Sequence, residues 1–148
     1  MIAFYAGSFD PFTIGHYSIA RRALMMFDRL IIGVGVNESK RNHLSIEERI
    51  EKIRSLFESE PNVSVISYTG LTAHAARETG AGVLVRGVRN GIDFEKEKEL
   101  ADINLKVLDM PTVMLPALPE LSFVSSSMVR ELSHFGYDVD EFIAKNPD

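Results

Sequence analysis

Ten residues near the N-terminus, Gly7-Ser8-Phe9-Asp10-Pro11-Phe12-Thr13-Ile14-Gly15-His16, combine the side-chain types that anion chemistry needs. Gly7 lets a backbone turn tightly and approach a phosphate closely. Asp10-Pro11 holds the chain extended, because a residue before proline avoids the helical region. Thr13 offers the hydroxyl of a helix N-cap. Gly15 leaves the first turn of that helix unobstructed, so its free N–H groups and dipole can face an anion. His16 lies in the same turn and can donate a hydrogen bond to a phosphoryl oxygen on which charge is growing. Thr-x-Gly-His alone also fits a capping threonine followed by an incidental histidine. Joined to Gly-Ser-Phe-Asp-Pro at a strand–helix junction, it reads as an anion site.

The elements that must position these residues alternate in type. Residues 2–5, 30–36, 63–67, 83–85 and 112–115 are short apolar or β-rich runs that predict strands. Helical spacing covers 14–27, 71–79 (ended by Gly80) and 93–108 (stopped by Pro111). Ser45 with Glu48 is a capping-box signature, followed by an apolar stripe at Ile46, Ile50, Ile53 and Phe57. Terminal helices are expected over 126–135 and 139–144, separated by Gly136. With no linker or repeat, residues 1–148 form one α/β domain of Rossmann-like architecture, a five-stranded parallel sheet with helices on both faces. In such sheets ligands bind beyond the carboxyl ends of the strands. That edge collects Ser8 and His16, then Asn37, Ser39 and Lys40, then Thr69, Gly70 and Thr72, then Arg86, Gly87 and Arg89, and finally Ser122, Ser125, Ser126 and Ser127. Polar loops explain the serines and glycines. Four cationic or imidazole groups converging on one edge point instead to an anion-binding cleft.

Composition narrows the field. The balance of 45% hydrophobic and 25% charged residues is that of a globular protein. The chain has no cysteine, which excludes disulfides, thiolate catalysis and zinc–thiolate sites, and a net charge of −5 argues against broad nucleic-acid binding. Neither a bilayer-length apolar run nor a secretory leader is visible, so the expectation is a cytoplasmic protein with no membrane partner.

Gly-Ser-Phe-Asp-Pro followed by Thr-x-Gly-His resembles the nucleotidyltransferase superfamily, which moves NMP groups from NTPs without a covalent enzyme intermediate. Three later stretches narrow the resemblance: Val85-Arg86-Gly87-Val88-Arg89, Asp93-Phe94-Glu95-x-Glu97, and Ser122-Phe123-Val124-Ser125-Ser126-Ser127. These are similar to the phosphopantetheine adenylyltransferase family, in order and without large gaps from residue 2 to about residue 143. The resemblance implies reversible transfer of AMP from ATP to 4′-phosphopantetheine, giving dephospho-CoA and pyrophosphate in coenzyme A biosynthesis. It also implies Mg2+ carried by the nucleotide phosphates rather than by dedicated protein ligands, a homohexamer, and feedback by coenzyme A.

Carried onto this sequence, the resemblance makes His16 the transition-state stabiliser, with Ser8 between acceptor phosphate and nucleotide and Lys40 near the reacting phosphates. Thr72 and Arg86 fall with Ser8 and Lys40 on the acceptor side. Ser8, Phe9, His16, Gly87, Val88, Arg89 and Glu97 fall on ATP-binding positions, as do Leu121, Ser122, Phe123, Val124, Ser125, Ser126 and Ser127. The sequence departs from the common pattern at Ala6, Ile14, Lys96 and Leu121. Leu121 removes an aromatic from the nucleotide stretch.

Other groups read more plainly. Asp93, Glu95, Glu97 and Glu99 spread around a helix rather than share one face, so a solvated surface is expected for all but Glu97. His43, His74 and His134 lack ligand spacing. Met25 and Met26 suit core or a subunit contact. The sequence has neither Gly-x-Gly-x-x-Gly nor a P-loop, which removes classical dinucleotide and P-loop NTPase readings. A related transferase, such as a nicotinamide mononucleotide adenylyltransferase or a cytidylyltransferase, and a non-catalytic nucleotide sensor stay as rivals. Lys40, Thr72 and Arg86 favour phosphopantetheine over other acceptors.

Overall fold

The computed structural model describes residues 1–37 and 43–146. Five strands alternate with helices: β1 (Ile2–Gly7), α1 (Ile14–Met26), β2 (Arg29–Gly35), α2 (Ile46–Leu56), β3 (Val63–Tyr68), α3 (Thr72–Glu78), β4 (Val83–Val88), α4 (Gly91–Leu108), β5 (Thr112–Pro116) and α5 (Ser126–His134). All pairings are parallel, in the order β3-β2-β1-β4-β5. The chain winds outward from β1 to β3, then returns to lay β4 on the other side of β1. The switch in strand order therefore falls between β1 and β4, where a crevice opens at their carboxyl ends.

The pleat of β1 explains the two-sided core. Ala3 and Tyr5 face one way, onto Ile19, Ala20 and Ala23 of α1 and Ile53 of α2. Phe4 and Ala6 face the other way, onto Ala73 and Ala76 of α3 and Met110. Burial of each large side chain contributes about 1.5–3 kcal/mol. Small residues are demanded where Phe4 lies flat. A Cβ on Gly33 would come within 2.2 Å of the Phe4 ring, so only glycine fits there. Ser45 accepts from the Glu48 N–H at 3.1 Å, the expected cap of α2.

The structure corrects several expectations. β4 does not stop at Val85; β5 continues pairing through Arg86↔Met114, Gly87↔Leu115 and Val88↔Pro116, so Arg86 and Gly87 stand on strand rungs. α4 starts at Gly91, because Asn90 caps it by accepting from the Asp93 N–H. Residues 139–144 are not an α-helix. Only Asp140–Phe142 form a 3₁₀ turn, after which Ile143 bridges antiparallel to Thr13 and the Ala144 N–H donates to Phe12 O at 3.2 Å. Those backbone groups serve the loop before α1 instead of one another. Residues 119–121 form a further 3₁₀ turn, where the proline-punctuated sequence predicts a loop. Met25 and Met26 are 85% and 51% exposed, which removes them from the core. Among the described residues, no helix is long and apolar enough to cross a membrane.

Candidate active site

The loop from Gly7 to Thr13 is held by its carbonyl groups. Arg49, only 2% exposed, donates from Nη1 to Ser8 O at 2.7 Å. Arg130 donates to Asp10 O at 2.7 Å, Ser126 Oγ donates to Pro11 O at 2.7 Å, and Arg86 donates to Ala6 O. The Asp10 carboxylate is buried and accepts from the backbone N–H groups of His43 (2.8 Å) and Leu44 (2.9 Å), which ties the loop to the entry of α2. The Asp10–Pro11 peptide bond is cis, where a simply extended segment was expected. The tight turn also falls elsewhere than expected. Phe9, with φ 48°, takes the left-handed conformation, while Gly7 has no positive φ. Gly7 is required for space: a Cβ there would come within 2.7 Å of the Phe9 ring.

Phe9 itself is core. Its ring packs edge-on against Tyr5, Phe12 and His16, with centroids 5.0–5.1 Å away. This wall fixes one side of the His16 imidazole, and a capping box fixes the other. His16 is the third residue of α1, and its Nδ1 accepts the Thr13 N–H at 3.0 Å. The Thr13 hydroxyl accepts the His16 N–H at 3.3 Å. A backbone N–H can only donate, so Nδ1 is bare and the ring proton resides on Nε2. Burial, aided by the positive charges of Arg86 and Arg89, pushes the pKa of His16 down to about 3. The imidazole is thus a neutral N–H donor with a fixed tautomer.

His16 lines a cleft of about 330 Å³ at the β1/β4 switch point, large enough for a small ligand. Arg86, Arg89 and Arg130 also line it, as does the amino end of α5. That helix is capped by Ser125, whose hydroxyl accepts the Met128 N–H at 3.1 Å. Oriented N–H groups and guanidiniums in one concavity suit a polyphosphate.

Of the residues singled out in the sequence, the cleft brings together Ser8, Phe9, His16, Arg86, Gly87, Val88, Arg89, Glu97, Val124, Ser125, Ser126 and Ser127. Thr72, Leu121, Ser122 and Phe123 do not line it. Thr72 opens α3 and pairs its hydroxyl with Tyr68 Oη at 2.8 Å. The Phe123 ring is exposed and packs against Phe142, centroids 5.9 Å apart. Lys40 lies outside the described residues. Arg130 lines the cleft although no motif contains it, and Asp93 lines it although a solvated face is expected there. Arg130 could have been found, since it follows Ser126 by four residues and so shares its helix face. Asp93 is not on a merely solvated face; its carboxylate pairs with Arg89, N···O 3.1 Å.

Arg86 is held most completely. Nε and Nη2 form a two-bond fork with Glu97 at 2.9 and 2.7 Å. Burial opposes the charged guanidinium, but the hydrogen bonds and charge of Glu97 outweigh it, and the pKa is raised. Burial likewise raises the pKa of Tyr5 behind the cleft, keeping its phenol neutral.

Comparison with known proteins agrees with this geometry. Residues 4–132 match the cytidylyltransferase-like family. The phosphopantetheine adenylyltransferase of Porphyromonas gingivalis is 51% identical over 142 residues, covering 96% of this chain and 93% of its own. That of Bacteroides fragilis is 46% identical over 143 residues, covering 97% and 95%. In fold, the chain resembles a bifunctional NMN adenylyltransferase/ADP ribose pyrophosphatase from Francisella tularensis, with a TM-score of 0.75 over 98% of this chain at 15% sequence identity. This chain spans 45% of that longer protein, and the likeness concerns the fold alone. Matched along most of its length by the family profile and nearly end to end by close relatives, the chain belongs to the cytidylyltransferase-like superfamily and, within it, to the phosphopantetheine adenylyltransferase family.

Proposed function

We propose that the protein transfers AMP from ATP to 4′-phosphopantetheine, forming dephospho-CoA and pyrophosphate. The relatives' names give the reaction, and the neutral Nε2–H donor of His16 at the head of an arginine-lined cleft is the observation that carries it. A phosphate oxygen of the acceptor attacks the α-phosphorus of ATP in line. The new P–O bond forms as the bond from α-phosphorus to the pyrophosphate oxygen breaks, and pyrophosphate leaves with the electron pair. A phosphate anion is a competent nucleophile at neutral pH, so the step needs no general base. Catalysis then consists of positioning and neutralising charge.

His16 donates from Nε2 to a non-bridging oxygen of the transferring phosphoryl group, and Ser8 sits between the two substrates. Arg86, with Thr72 and Lys40, serves the acceptor. Arg89 and the Ser125, Ser126 and Ser127 end of α5 serve the triphosphate. Mg2+ bound with the nucleotide would supply further positive charge to the triphosphate, beside Arg89 and the amino end of α5. Among the described residues, the two carboxylates that line the cleft, Asp93 and Glu97, are already paired with arginines, which suits an ion held by phosphates and water rather than by protein ligands. The enzyme works in the cytoplasm as a homohexamer. The outer side of α4, where Leu100, Ile103 and Val107 are 53–67% exposed, supplies an apolar face for subunit contact.

The test is conversion of ATP and phosphopantetheine to dephospho-CoA, followed by chromatography and by released pyrophosphate. His16→Ala lowers turnover by about two to three orders of magnitude, the cost of one such donor, with little change in ATP affinity. Absence of dephospho-CoA with the wild type, or near-normal turnover in the variant, refutes the reading.

A further inference from the structure

α4 crosses the carboxyl end of β4 with two carboxylates one turn apart on its inner side. Asp93 lies over Arg89 and Glu97 lies over Arg86. α4 has no buried residue along its whole length, so these ion pairs are prominent among the links that seat it on the sheet. The pairing uses the arginines unequally. Arg86 commits Nε and Nη2 to the two oxygens of Glu97 and Nη1 to Ala6 O. Of its five N–H donors, two remain, one on each Nη. The Glu97 side chain is only 13% exposed, and both its oxygens are taken. Arg89 is held more loosely, by Asp93 at 3.1 Å from Nε and 3.4 Å from Nη2, and its side chain is 35% exposed. The same carboxylate accepts the Arg89 backbone N–H at 3.2 Å, which fixes where the arginine leaves the strand.

A guanidinium is a planar fork, and its value to a phosphate depends on where the free edge points. We propose that Glu97 and Asp93 are positioning residues that aim these edges in different directions. Glu97 acts on the acceptor phosphate through Arg86, and Asp93 acts on the nucleotide through Arg89. This assignment rests on the proposed function, and it parts from the direct nucleotide contact that family resemblance implies for Glu97. Two opposing effects separate by sign. Removing a carboxylate charge by itself strengthens anion binding, because a repulsion is lost. Releasing the fork weakens it, because the guanidinium no longer meets the phosphate preformed.

The experiment measures KM for each substrate in the full-length enzyme carrying Glu97→Gln, Glu97→Asp or Asp93→Asn, with thermal melting of each. Glu97→Gln is expected to raise the acceptor KM about tenfold, one charge-assisted hydrogen bond's worth, and to leave the ATP KM within a factor of two. Asp93→Asn is expected to do the reverse. Glu97→Asp keeps the charge on a shorter arm and should fall between wild type and Glu97→Gln. A rise confined to the ATP KM in Glu97→Gln overturns the inference, as does a fall in the acceptor KM or an equal change in both constants. Wild-type turnover with unchanged KM values in the variants overturns the inference alone, whereas a wild type without turnover overturns the proposed function with it.

Discussion

Replacing His16 by glutamine separates its chemistry from its role in the fold. Gln can still accept the Thr13 N–H from the third position of α1, as in an ordinary capping box, but it does not titrate. In the wild type, His16 has a folded-state pKa of about 3 against 6.5 in the unfolded chain, so the unfolded state takes up the proton first. Stability from this group is therefore complete above pH 6.5 and is lost as pH falls from 6.5 toward 3. The full linkage slope is about 1.4 kcal/mol per pH unit. Part of the imidazole faces the cleft, where water and ions soften the desolvation, and about 1 kcal/mol per unit is the working figure. Between pH 6.5 and 5 the wild type should lose about 1.5 kcal/mol that His16→Gln does not lose. For a chain of 148 residues this is roughly 4 °C in Tm. Urea and thermal unfolding of both proteins at matched concentration, from pH 7.5 to 5, give the difference curve. It should be flat at the upper end and tilt toward the variant below pH 6.5. A difference independent of pH would refute the neutral, buried imidazole and with it the tautomer on which the mechanism relies.

Gly33→Ala should lose about 1–3 kcal/mol by urea unfolding, because its Cβ would overlap the fully buried Phe4 ring; wild-type stability would contradict the packing. Ile103→Glu together with Val107→Glu should leave helix content intact by circular dichroism and shift light-scattering mass to smaller species. An unchanged mass would remove α4 from the subunit contact. Lys40→Met should raise the acceptor KM and lower kcat while sparing ATP binding. The kcat defect should persist at saturating acceptor and high salt, since a defect that vanishes with salt would show only steering.

The fold was legible because the strands are short apolar or β-rich runs and α1 and α2 carry periodic apolar faces. What escaped the sequence were features set by partners far along the chain. Strand β4 is three residues longer than its own apolar run because β5 pairs with it to Val88. Residues 139–144 have helical spacing, yet Ile143 and Ala144 give their backbone to Phe12 and Thr13. The site was legible in residue type, since Ser8, His16, Arg86, Arg89 and Ser125 all reach the cleft. Its supports were not. Arg49 reads as one more charge in a polar helix, but it is buried and bonded to Ser8 O across forty-one positions. No local pattern in α2 encodes that contact.

The choice of histidine at the third position of α1 follows from two demands on one atom set. The helix needs an acceptor there for the Thr13 N–H, and glutamate is the usual answer. A carboxylate would place an unpaired negative charge at the head of a cleft whose arginines attract phosphate, opposing Arg86 and Arg89. A protonated imidazole would satisfy the phosphates but would have no lone pair for the cap. Of the two states of the ring, only the neutral one meets both conditions, with Nδ1 turned to the backbone and Nε2–H turned to the cleft. Burial against Phe9 and Phe12, with two arginines beyond, keeps it in that state. On the proposed mechanism, the wall of aromatic rings around the loop is thus part of the chemistry, because it selects the protonation state in which a helix cap would also stabilise a transferring phosphoryl group.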